Sequence, residues 1–226
     1  MSMGEPAEPA ESTARQVFPA APLAKLNDQI RPAILGVLIL TLLTGVVFPL
    51  ALFAVARPLF RLQAKGSLLT RDNGEVVGAE LIGQNFSRPE YFRPRPSAAG
   101  NGYETLNSGG TNLGPNNPKL VNGASDFAGI RQLAEEYREQ NGLAPDADIP
   151  IDAVTRSGSG LDPEISPENA ALQATRVGRA RGVSEEAVQR VVAKHTKPPQ
   201  FGFLGSSRVA VLPLNLDLDR AFPIRR

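Results

Sequence analysis

The sequence has no cysteine and only one histidine, His195, in 226 residues. Without cysteine the chain can form neither a disulfide framework nor a thiolate metal site, and its compartment stays open. His195 lies on the apolar face of a predicted helix near its end, where packing or helix capping is the usual role. Because a lone histidine there has no oriented partner, we predict no Ser-His-Asp set, no catalytic residue and no metal site.

The chain also lacks an excess of charge of either sign, since 24 basic and 23 acidic residues give a formal net charge of +1. No global field therefore attracts nucleic acid or acidic substrates, and no nucleic-acid partner is expected. One proline-rich stretch interleaves aromatic and cationic side chains: Phe86, Arg88, Tyr91, Phe92, Arg93 and Arg95. Since arginine and tyrosine are frequent interface anchors, this stretch is predicted to contact another protein.

No charged residue interrupts the run from Pro32 to Ala56, which Arg31 and Arg57 bracket. About 25 apolar residues are enough to cross a bilayer with some tilt. The alternatives are a cleaved secretory signal, with Ala54-Val55-Ala56 as the cleavage site, and a buried core helix. The run is longer than the apolar part of a signal peptide and has no polar stripe, which favours a retained transmembrane helix.

Within this segment Thr41 and Gly45 form a pair of small residues one helical turn apart. Such a pair lets a neighbouring helix approach closely, so both are candidate contacts with a partner helix. Pro49 removes one backbone donor and is predicted to kink the outer third of the helix. The flanking cations, two before the helix and three after it, lean slightly towards a cytoplasmic C-terminal domain.

Composition divides the chain into four parts. Residues 1–30 are predicted to be a disordered leader, because their Ala-, Pro- and Glu-rich start has no hydrophobic periodicity. Residues 31–57 form the transmembrane helix, residues 58–74 a connector, and residues 75–226 a soluble α+β domain with about three helices and a small sheet. That domain contains a long Gly-, Pro- and Asn-rich stretch over residues 84–125, and irregular stretches of this length are more often functional than filler.

Apolar and polar residues alternate in the predicted strands, whereas helices are predicted from apolar residues at helical spacing and from capping residues. The predicted strands are residues 75–83 (or a short hairpin there), Ile149–Val154, Arg208–Leu212 and Leu214–Leu218. The predicted helices run from a cap at Ser125 or Asp126 to Asn141, from a cap at Ser166 to Arg181, and from a cap at Ser184 to the prolines at 198 and 199.

A glycine-rich turn, Ser157-Gly158-Ser159-Gly160, precedes the second predicted helix. Backbone N–H groups in such a turn could cradle a phosphate, although the turn lacks the lysine and spacing of a P-loop and is not GxGxxG. On the helix that follows, Asn169, Gln173 and Arg176 share one polar face that could point at a ligand. A solvated helix surface is the more ordinary interpretation of that face, and spacing alone favours it.

Several motifs occur in a fixed order: RPAI at the start of the apolar helix, LIGQNFSRPEYFRPRPSA, SGGTNLGPNNPKL, VTRSGSGLDPEISPENAALQATRVGRARG and LGSSRVAVLPLNLDLD. Together, from Arg31 to Asp219, they resemble the C subunit of the Kdp potassium-transporting ATPase, a bacterial high-affinity uptake complex. The sequence departs from that family at Ala210, where the family pattern has asparagine, and in its long leader.

The resemblance implies a non-catalytic accessory subunit that stabilises a complex in the bacterial inner membrane. Its expected partners are a channel-like potassium-selecting subunit, a P-type ATP-hydrolysing subunit and membrane lipid. This chain has neither a DKTGT phosphorylation loop nor a TVGYG filter, which agrees with an accessory role.

The resemblance also implies a catalytic chaperone that raises the ATP affinity of the hydrolytic subunit. No tightly bound cofactor is expected, but ATP could be contacted at Ser157, Gly158, Gly160 and Gln173, to which we add Arg176. The alternatives are a structural brace on the ion-selecting subunit without nucleotide contact, and a free-standing anchored ligand-binding domain. The family places the soluble domain outside the cytoplasm, where ATP is scarce. With that topology, any effect on ATP affinity must be transmitted through the membrane helices.

Overall fold

The computed structural model describes residues 26–71 and 73–224, and the chain divides into two compact units, Met1–Leu59 and Phe60–Arg226. The predicted disordered leader lies outside the described residues as far as residue 25. From Leu26 onward the chain is helical, so the first helix begins five residues before the predicted boundary at residue 31.

The first unit contains one long apolar helix, Asn27–Leu59, of 33 residues. This segment lies within three consecutive helical elements, α1 (Leu26–Leu42), a π-helical turn (Leu43–Val47) and α2 (Phe48–Leu59). Among the described residues it is the one helix long and apolar enough to cross a membrane, and its large apolar side chains are exposed in the isolated chain. The prediction of one apolar N-terminal helix is therefore confirmed.

The π-helical turn ends two residues before Pro49, and Phe48 donates its backbone N–H to the carbonyl of Leu43. Proline has no N–H to give to the preceding turn, and a π-helical turn accommodates the lost bond by shifting the hydrogen-bond register. Thr44 additionally donates its hydroxyl to the Leu40 carbonyl at 2.7 Å. The structure thus shows a π-helical turn before this proline, and the kink itself stays a prediction.

The second unit begins earlier than predicted. A short helix, α3 (Arg61–Ala64), is followed by strand β1 (Leu68–Thr70), which pairs antiparallel with β2 (Val76–Ala79). The hairpin predicted within residues 75–83 therefore draws its first strand from residues 58–74, which were assigned to a connector.

The remainder is a mixed helical and sheet domain, which confirms the predicted fold class. Its helices are α4 (Pro118–Asn122), α5 (Ile130–Asn141), α6 (Ile151–Val154), α7 (Pro167–Arg181), α8 (Glu185–His195) and α9 (Val211–Ala221). Its antiparallel sheet has the strand order β3-β5-β4, formed by β3 (Glu164–Ile165), β5 (Arg208–Ala210) and β4 (Thr196–Lys197).

Local signals placed α7 and α8 correctly. Ser166 accepts the N–H of Asn169 at 3.1 Å, as an N-cap does, and Gly182 ends α7 in the left-handed conformation with φ of +67°. Ser184 caps α8 in the same way. These bonds join residues at most four positions apart, which is why a single sequence shows them.

Three predicted elements were wrong or misplaced. The first helix of the domain begins at Ile130, because Ala124 and Phe127 form a β-bridge instead of a helical turn. Ile149–Val154 contains the helical turn α6, which starts directly after Pro150. Leu214–Leu218 belongs to helix α9 and not to a strand.

The strand prediction for Leu214–Leu218 failed because the apolar residues of this segment fit both the strand period and the helix period. Leu214, Leu216 and Leu218 alternate as in a strand, but Val211, Leu214 and Leu218 recur at helical spacing. In the structure Leu214 and Leu218 are fully buried on one face of α9, whereas Leu216 is only partly buried. The predicted strand at Arg208–Leu212 is correspondingly shortened to the three residues of β5.

Helix α7 lies between two apolar clusters. The larger cluster combines side chains of α7, α8, α9 and the sheet with Phe92 from the irregular stretch. The smaller cluster is built on Tyr137 of α5 and on Ala153 and Val154 of α6, and Leu172 of α7 packs against it. His195 is half-buried, with its Nε2 atom 3.2 Å from a carboxylate oxygen of Asp217, so the expectation that it has no oriented partner was wrong.

Candidate functional site

Phe92 and Arg93, in the irregular stretch, are held by side-chain amides from α7 and α9. Gln173 accepts the N–H of Arg93 at 2.8 Å and donates to the Arg93 carbonyl at 3.0 Å. Asn215 does the same for Phe92, accepting its N–H at 2.8 Å and donating to its carbonyl at 2.9 Å. Each amide therefore pairs with a backbone as a neighbouring strand would. We call this arrangement the double amide clasp.

The clasp allows Phe92 to be fully buried in the larger apolar cluster. A buried backbone N–H or carbonyl without a partner costs about as much as a lost hydrogen bond, or more. In a stretch without regular secondary structure, side chains must supply those partners. Asn215 and Gln173, each 1 % exposed, satisfy this requirement.

Arg176 reinforces the same stretch from α7. Its guanidinium donates to four groups: the carbonyl of Pro89 at 2.5 Å, the carbonyl of Tyr91 at 3.0 Å, Asn141 Oδ1 at 2.9 Å and Gln173 Oε1 at 2.7 Å. Burial, with a smaller contribution from Arg93, lowers the pKa of Arg176 to about 10. The side chain is therefore still a cation at neutral pH, and its donors are engaged within the chain.

A buried polar network continues from Gln173 towards α5 and α6. Asn169 Oδ1 accepts from Gln173 Nε2 and from the Tyr137 hydroxyl, both at 2.8 Å. Asp152 accepts from Asn169 Nδ2 at 2.9 Å and from the N–H and hydroxyl of Ser166, both at 2.8 Å. Burial, and then the Asp152 charge, raise the pKa of Tyr137.

The polar face of α7 is therefore not a solvated surface, and that prediction was wrong. Asn169 and Gln173 are each 1 % exposed. Their spacing placed them on one face correctly, but the face is covered by the irregular stretch and by α5. A helical pattern in one sequence shows which residues share a face and not what covers it.

Arg181, at the end of α7, is a further residue of this site that the sequence did not single out. Its side chain is 0 % exposed and pairs with Asp219 of α9 at 2.8 Å. It also donates to the carbonyl of Glu90 at 2.8 Å and lies over the Tyr91 ring at 5.2 Å. In sequence it looks like an ordinary cation near a helix C-terminus. Asn215 was missed for a different reason, since its segment was predicted to be a strand.

Serine side chains of the glycine turn accept hydrogen bonds from backbone N–H groups in and next to the turn. Ser157 Oγ accepts the N–H of Gly160 at 2.9 Å, and Ser159 Oγ accepts the N–H of Leu161 at 3.1 Å. Gly160 has φ of +67°, where glycine is favoured. Gly158 is exposed, with open space around the position of a Cβ atom.

The turn packs against residues 97–110 of the same chain. Gly109 donates its N–H to the Ser159 carbonyl at 2.9 Å, and Ser97 donates its hydroxyl to the Gly160 carbonyl at 2.6 Å. A Cβ atom at Gly160 would lie 2.6 Å from the Ala99 nitrogen and from the Gly109 oxygen. The absence of a side chain at Gly160 is therefore required by packing.

The structure brings Gln173 and Arg176 together but leaves the glycine turn apart from them. Among the residues that the structure describes, no hydrogen bond joins Ser157–Gly160 to either side chain. Arg95 links the two regions indirectly, since it follows the clasp and donates to Asp162, just after the turn, at 2.8 Å. The five residues predicted to contact ATP thus form two separate groups, one in the glycine turn and one on α7.

A cleft of about 320 Å³ lies beside the clasp. Its polar lining includes Asn85, Ser87, Arg93, Tyr137, Gln140 and Gln173. The buried Nε atom of Arg93 has no hydrogen-bond partner among the described residues. Within residues 26–71 and 73–224 no three acidic or histidine side chains converge to hold a metal ion.

Thr41 and Gly45 both lie on the exposed surface of the N-terminal helix. No atom lies within 4 Å of the position that a Cβ atom would take at Gly45. The surface there is open to a neighbouring helix, and the contact itself stays a prediction.

The sequence of the chain is similar to those of known proteins over most of its length. Residues 30–220 match the family described as KdpC: K+-transporting ATPase, c chain. The chain is 49 % identical over 199 residues to the potassium-transporting ATPase KdpC subunit of Beijerinckia indica, covering 88 % of this chain and 97 % of the relative. It is 48 % identical over 195 residues to the KdpC subunit of Mycobacterium tuberculosis strain H37Rv, covering 86 % and 100 %.

A further relative, the KdpC subunit of Caulobacter vibrioides, is 47 % identical over 196 residues, covering 87 % of this chain and 95 % of the relative. The matched region includes the apolar helix, the double amide clasp and the glycine turn. The chain therefore belongs to the KdpC family, and it is a non-catalytic, membrane-anchored accessory subunit of the Kdp potassium-transporting ATPase.

Proposed function

We propose that the chain stabilises the Kdp complex by two attachments. The N-terminal helix contacts partner transmembrane helices through Thr41 and Gly45, and the soluble domain presents residues 84–125 to the potassium-selecting subunit. The double amide clasp is the observation that supports the second attachment. A stretch held in one conformation loses little conformational entropy when it binds, which favours affinity.

In this proposal the chain raises the ATP affinity of the hydrolytic subunit without touching ATP. Gln173 and Arg176 are already engaged in hydrogen bonds within the domain, and Gly160 is packed against Ala99 and Gly109. The soluble domain lies outside the cytoplasm, and the influence on the ATP site is a coupling free energy carried by the membrane helices.

Replacing Gly45 by leucine in the intact complex tests the helix contact. A leucine there would separate two closely packed backbones and remove about 1 to 2 kcal/mol of association, or about five- to thirtyfold in affinity. We expect less co-purification of the other subunits and a higher half-saturating ATP concentration for potassium-dependent hydrolysis. Val46→Leu, on a different face of the helix, is the matched control.

Equal co-purification of the Gly45→Leu and Val46→Leu complexes would remove the helix contact from the proposal. A chain that purifies alone in mild detergent, with no larger partners, would instead support the free-standing ligand-binding alternative.

Direct nucleotide contact is the second proposal, through Ser157, Gly158, Gly160, Gln173 and Arg176. The observation that favours it is the cleft that Gln173 and Arg93 line; the buried Nε atom of Arg93 has no hydrogen-bond partner among the described residues. A buried donor without a partner is a place where a ligand oxygen could bind.

Photolabelling the intact complex with an azido-ATP distinguishes the two proposals. Gln173→Ala removes one half of the clasp and Asn215→Ala removes the other half, so both disturb residues 89–93. Loss of labelling of this chain in Gln173→Ala alone would support direct contact. Equal labelling of both variants would contradict it and leave the coupling mechanism.

The side of the membrane is tested with single cysteines at Asn101, an exposed residue of the soluble domain, and at Ser12. The native chain has no cysteine, so a membrane-impermeant maleimide reports only the introduced thiol. We expect intact cells to label Asn101→Cys, and Ser12→Cys only after permeabilisation. The reverse pattern would place the soluble domain in the cytoplasm.

A further inference from the structure

The loop between β4 and β5, residues 198–207, exposes three large apolar side chains next to one another. Phe201 is 86 % exposed, Phe203 is 75 % exposed and Leu204 is 48 % exposed. Single exposed apolar residues are common, but a contiguous exposed patch on a folded domain marks a binding surface. We call residues Phe201–Leu204 the apolar tip.

Three of the four N–H groups of the apolar tip donate to backbone carbonyls of the same loop. Gln200 and Leu204 exchange two N–H···O bonds, both of 2.9 Å. Gly202 donates to the Pro199 carbonyl at 3.1 Å and Phe203 to the Gln200 carbonyl at 3.2 Å. Because an unpaired N–H is costly in hydrocarbon, these bonds lower the cost of burying the loop in lipid.

The loop also carries no charge. Residues 198–207 read PPQFGFLGSS, and the two prolines have no N–H to satisfy. Phe201 is held in the left-handed conformation with φ of +54°, which turns the chain at the tip itself. Insertion of this loop into lipid would therefore remove water from apolar side chains and from a hydrogen-bonded turn. It would not remove water from an ionised group.

Hydrogen bonds connect the base of this loop to the start of the soluble unit. Lys197 donates to a carboxylate oxygen of Glu80 at 3.1 Å, and Glu80 donates its N–H to the Ser67 carbonyl at 2.9 Å. Ser67 in turn donates its N–H to the Leu62 carbonyl at 2.9 Å. Leu62 follows the last residue of the membrane helix, Leu59, by three positions. The base of the loop is thus joined by three hydrogen bonds to Leu62, near the start of the soluble unit.

We propose that the apolar tip inserts into the acyl-chain boundary of the bilayer as a second membrane attachment of this chain. The covalent connection keeps phospholipid within reach of the loop. Protein hot spots are enriched in tryptophan, tyrosine and arginine, which combine a large body with a polar handle. The tip has only phenylalanine and leucine side chains, which suit acyl chains better than a protein pocket.

The test uses the full chain reconstituted into phosphatidylcholine vesicles, with an environment-sensitive fluorophore on Ser206→Cys, an exposed residue beside the tip. We expect a blue-shifted emission and a loss of about half of the fluorescence when the lipid carries brominated acyl chains. The same label on Glu135→Cys, an exposed residue of α5, is the reference and should lose much less.

A second pair of variants tests whether the two rings are responsible. Phe201→Ser/Phe203→Ser should abolish quenching of the label at residue 206, whereas Phe201→Leu/Phe203→Leu should retain it. Both positions are exposed, so circular dichroism should show an unchanged fold. Quenching no stronger at residue 206 than at residue 135, or unchanged in the serine variant, would overturn the proposal. A blue shift that appears only with the other Kdp subunits and is insensitive to brominated lipid would overturn it in favour of a protein partner.

Discussion

The N-terminal helix and the clasped stretch are ordered by opposite means. In the helix, backbone bonds are made within the helix itself, and the apolar side chains are left exposed for lipid or partner helices. In the clasped stretch, the backbones of Arg93 and Phe92 are bonded by side chains 80 and 123 residues away in sequence. The order of the helix therefore depends on its composition and on the surrounding medium. The order of the clasped stretch depends on the folding of the rest of the soluble domain.

The largest expected effect is on the clasped stretch. Phe92→Ala removes a ring that is fully buried in the larger apolar cluster. The cavity and lost transfer free energy should lower the free energy of unfolding of the soluble unit by about 3 to 5 kcal/mol. Chemical denaturation of the full chain in mild detergent, followed by circular dichroism, measures this. The exposed Phe203→Ala should change it by no more than about 0.5 kcal/mol, and similar values for both variants would break the comparison.

A charge in the helix should have the opposite consequence, because its stability depends on the medium. Leu42→Arg places a cation near the middle of the apolar run, at a cost of about 2.5 to 3.5 kcal/mol for insertion. We expect a smaller fraction of the chain to resist alkaline extraction from membranes. The unfolding of the soluble unit in detergent should not change, and Leu42→Ala should insert almost normally. A shift in that unfolding would show that the two units are coupled.

Two glycines of the glycine turn allow a similar comparison within the soluble unit, since Gly160 is closely packed and Gly158 is not. Gly160→Ala would force a Cβ atom to 2.6 Å from the Ala99 nitrogen and strain a φ of +67°. It should cost about 1 to 3 kcal/mol of unfolding free energy. Gly158→Ala, in open space, should stay within about 0.5 kcal/mol. Equal costs, measured by the same denaturation, would mean that the turn is not held by packing.

The smallest effect concerns pH. Since the pKa of Tyr137 is raised in the folded chain, its contribution to stability is complete below about pH 10 and is lost as the pH rises above that value. Tyr137→Phe has no such loss, so the stability difference between the two proteins should shrink by about 1.4 kcal/mol per pH unit in alkaline solution. Arg176, whose pKa is lowered to about 10, acts in the opposite direction in both proteins, and its charge interacts with Tyr137 only where the tyrosine is present. Denaturation at about pH 9 and about pH 11 checks this, and a constant difference would contradict it.

The elements predicted correctly share a local cause. The caps of α7 and α8 and the end of α7 at Gly182 each involve neighbours in sequence. The apolar helix needs only its own composition. Ile149–Val154 and Leu214–Leu218 failed because a short apolar run fits both a strand and a helix, and tertiary packing decides between them.

For the candidate site, spacing grouped Asn169, Gln173 and Arg176 on one face of α7, and the structure places them together. Spacing did not show that Gln173 and Arg176 bind residues 89–93, or that Asn169 binds Tyr137 and Asp152. Arg181 and Asn215 also bind residues 89–93, and no feature of the neighbouring sequence indicates these contacts. Their partners are brought close only by the packing of α7 against α8 and α9.

The sequence by itself determined the membrane helix, the capped helices and the family, because each depends on neighbouring residues or on ordered motifs. Tertiary structure alone decided that the polar face of α7 is buried, that Gly160 is a packing position and that Phe201 and Phe203 stay exposed. The physical reason is that hydrogen-bond satisfaction and burial depend on groups far apart in the chain, which meet only after it has folded.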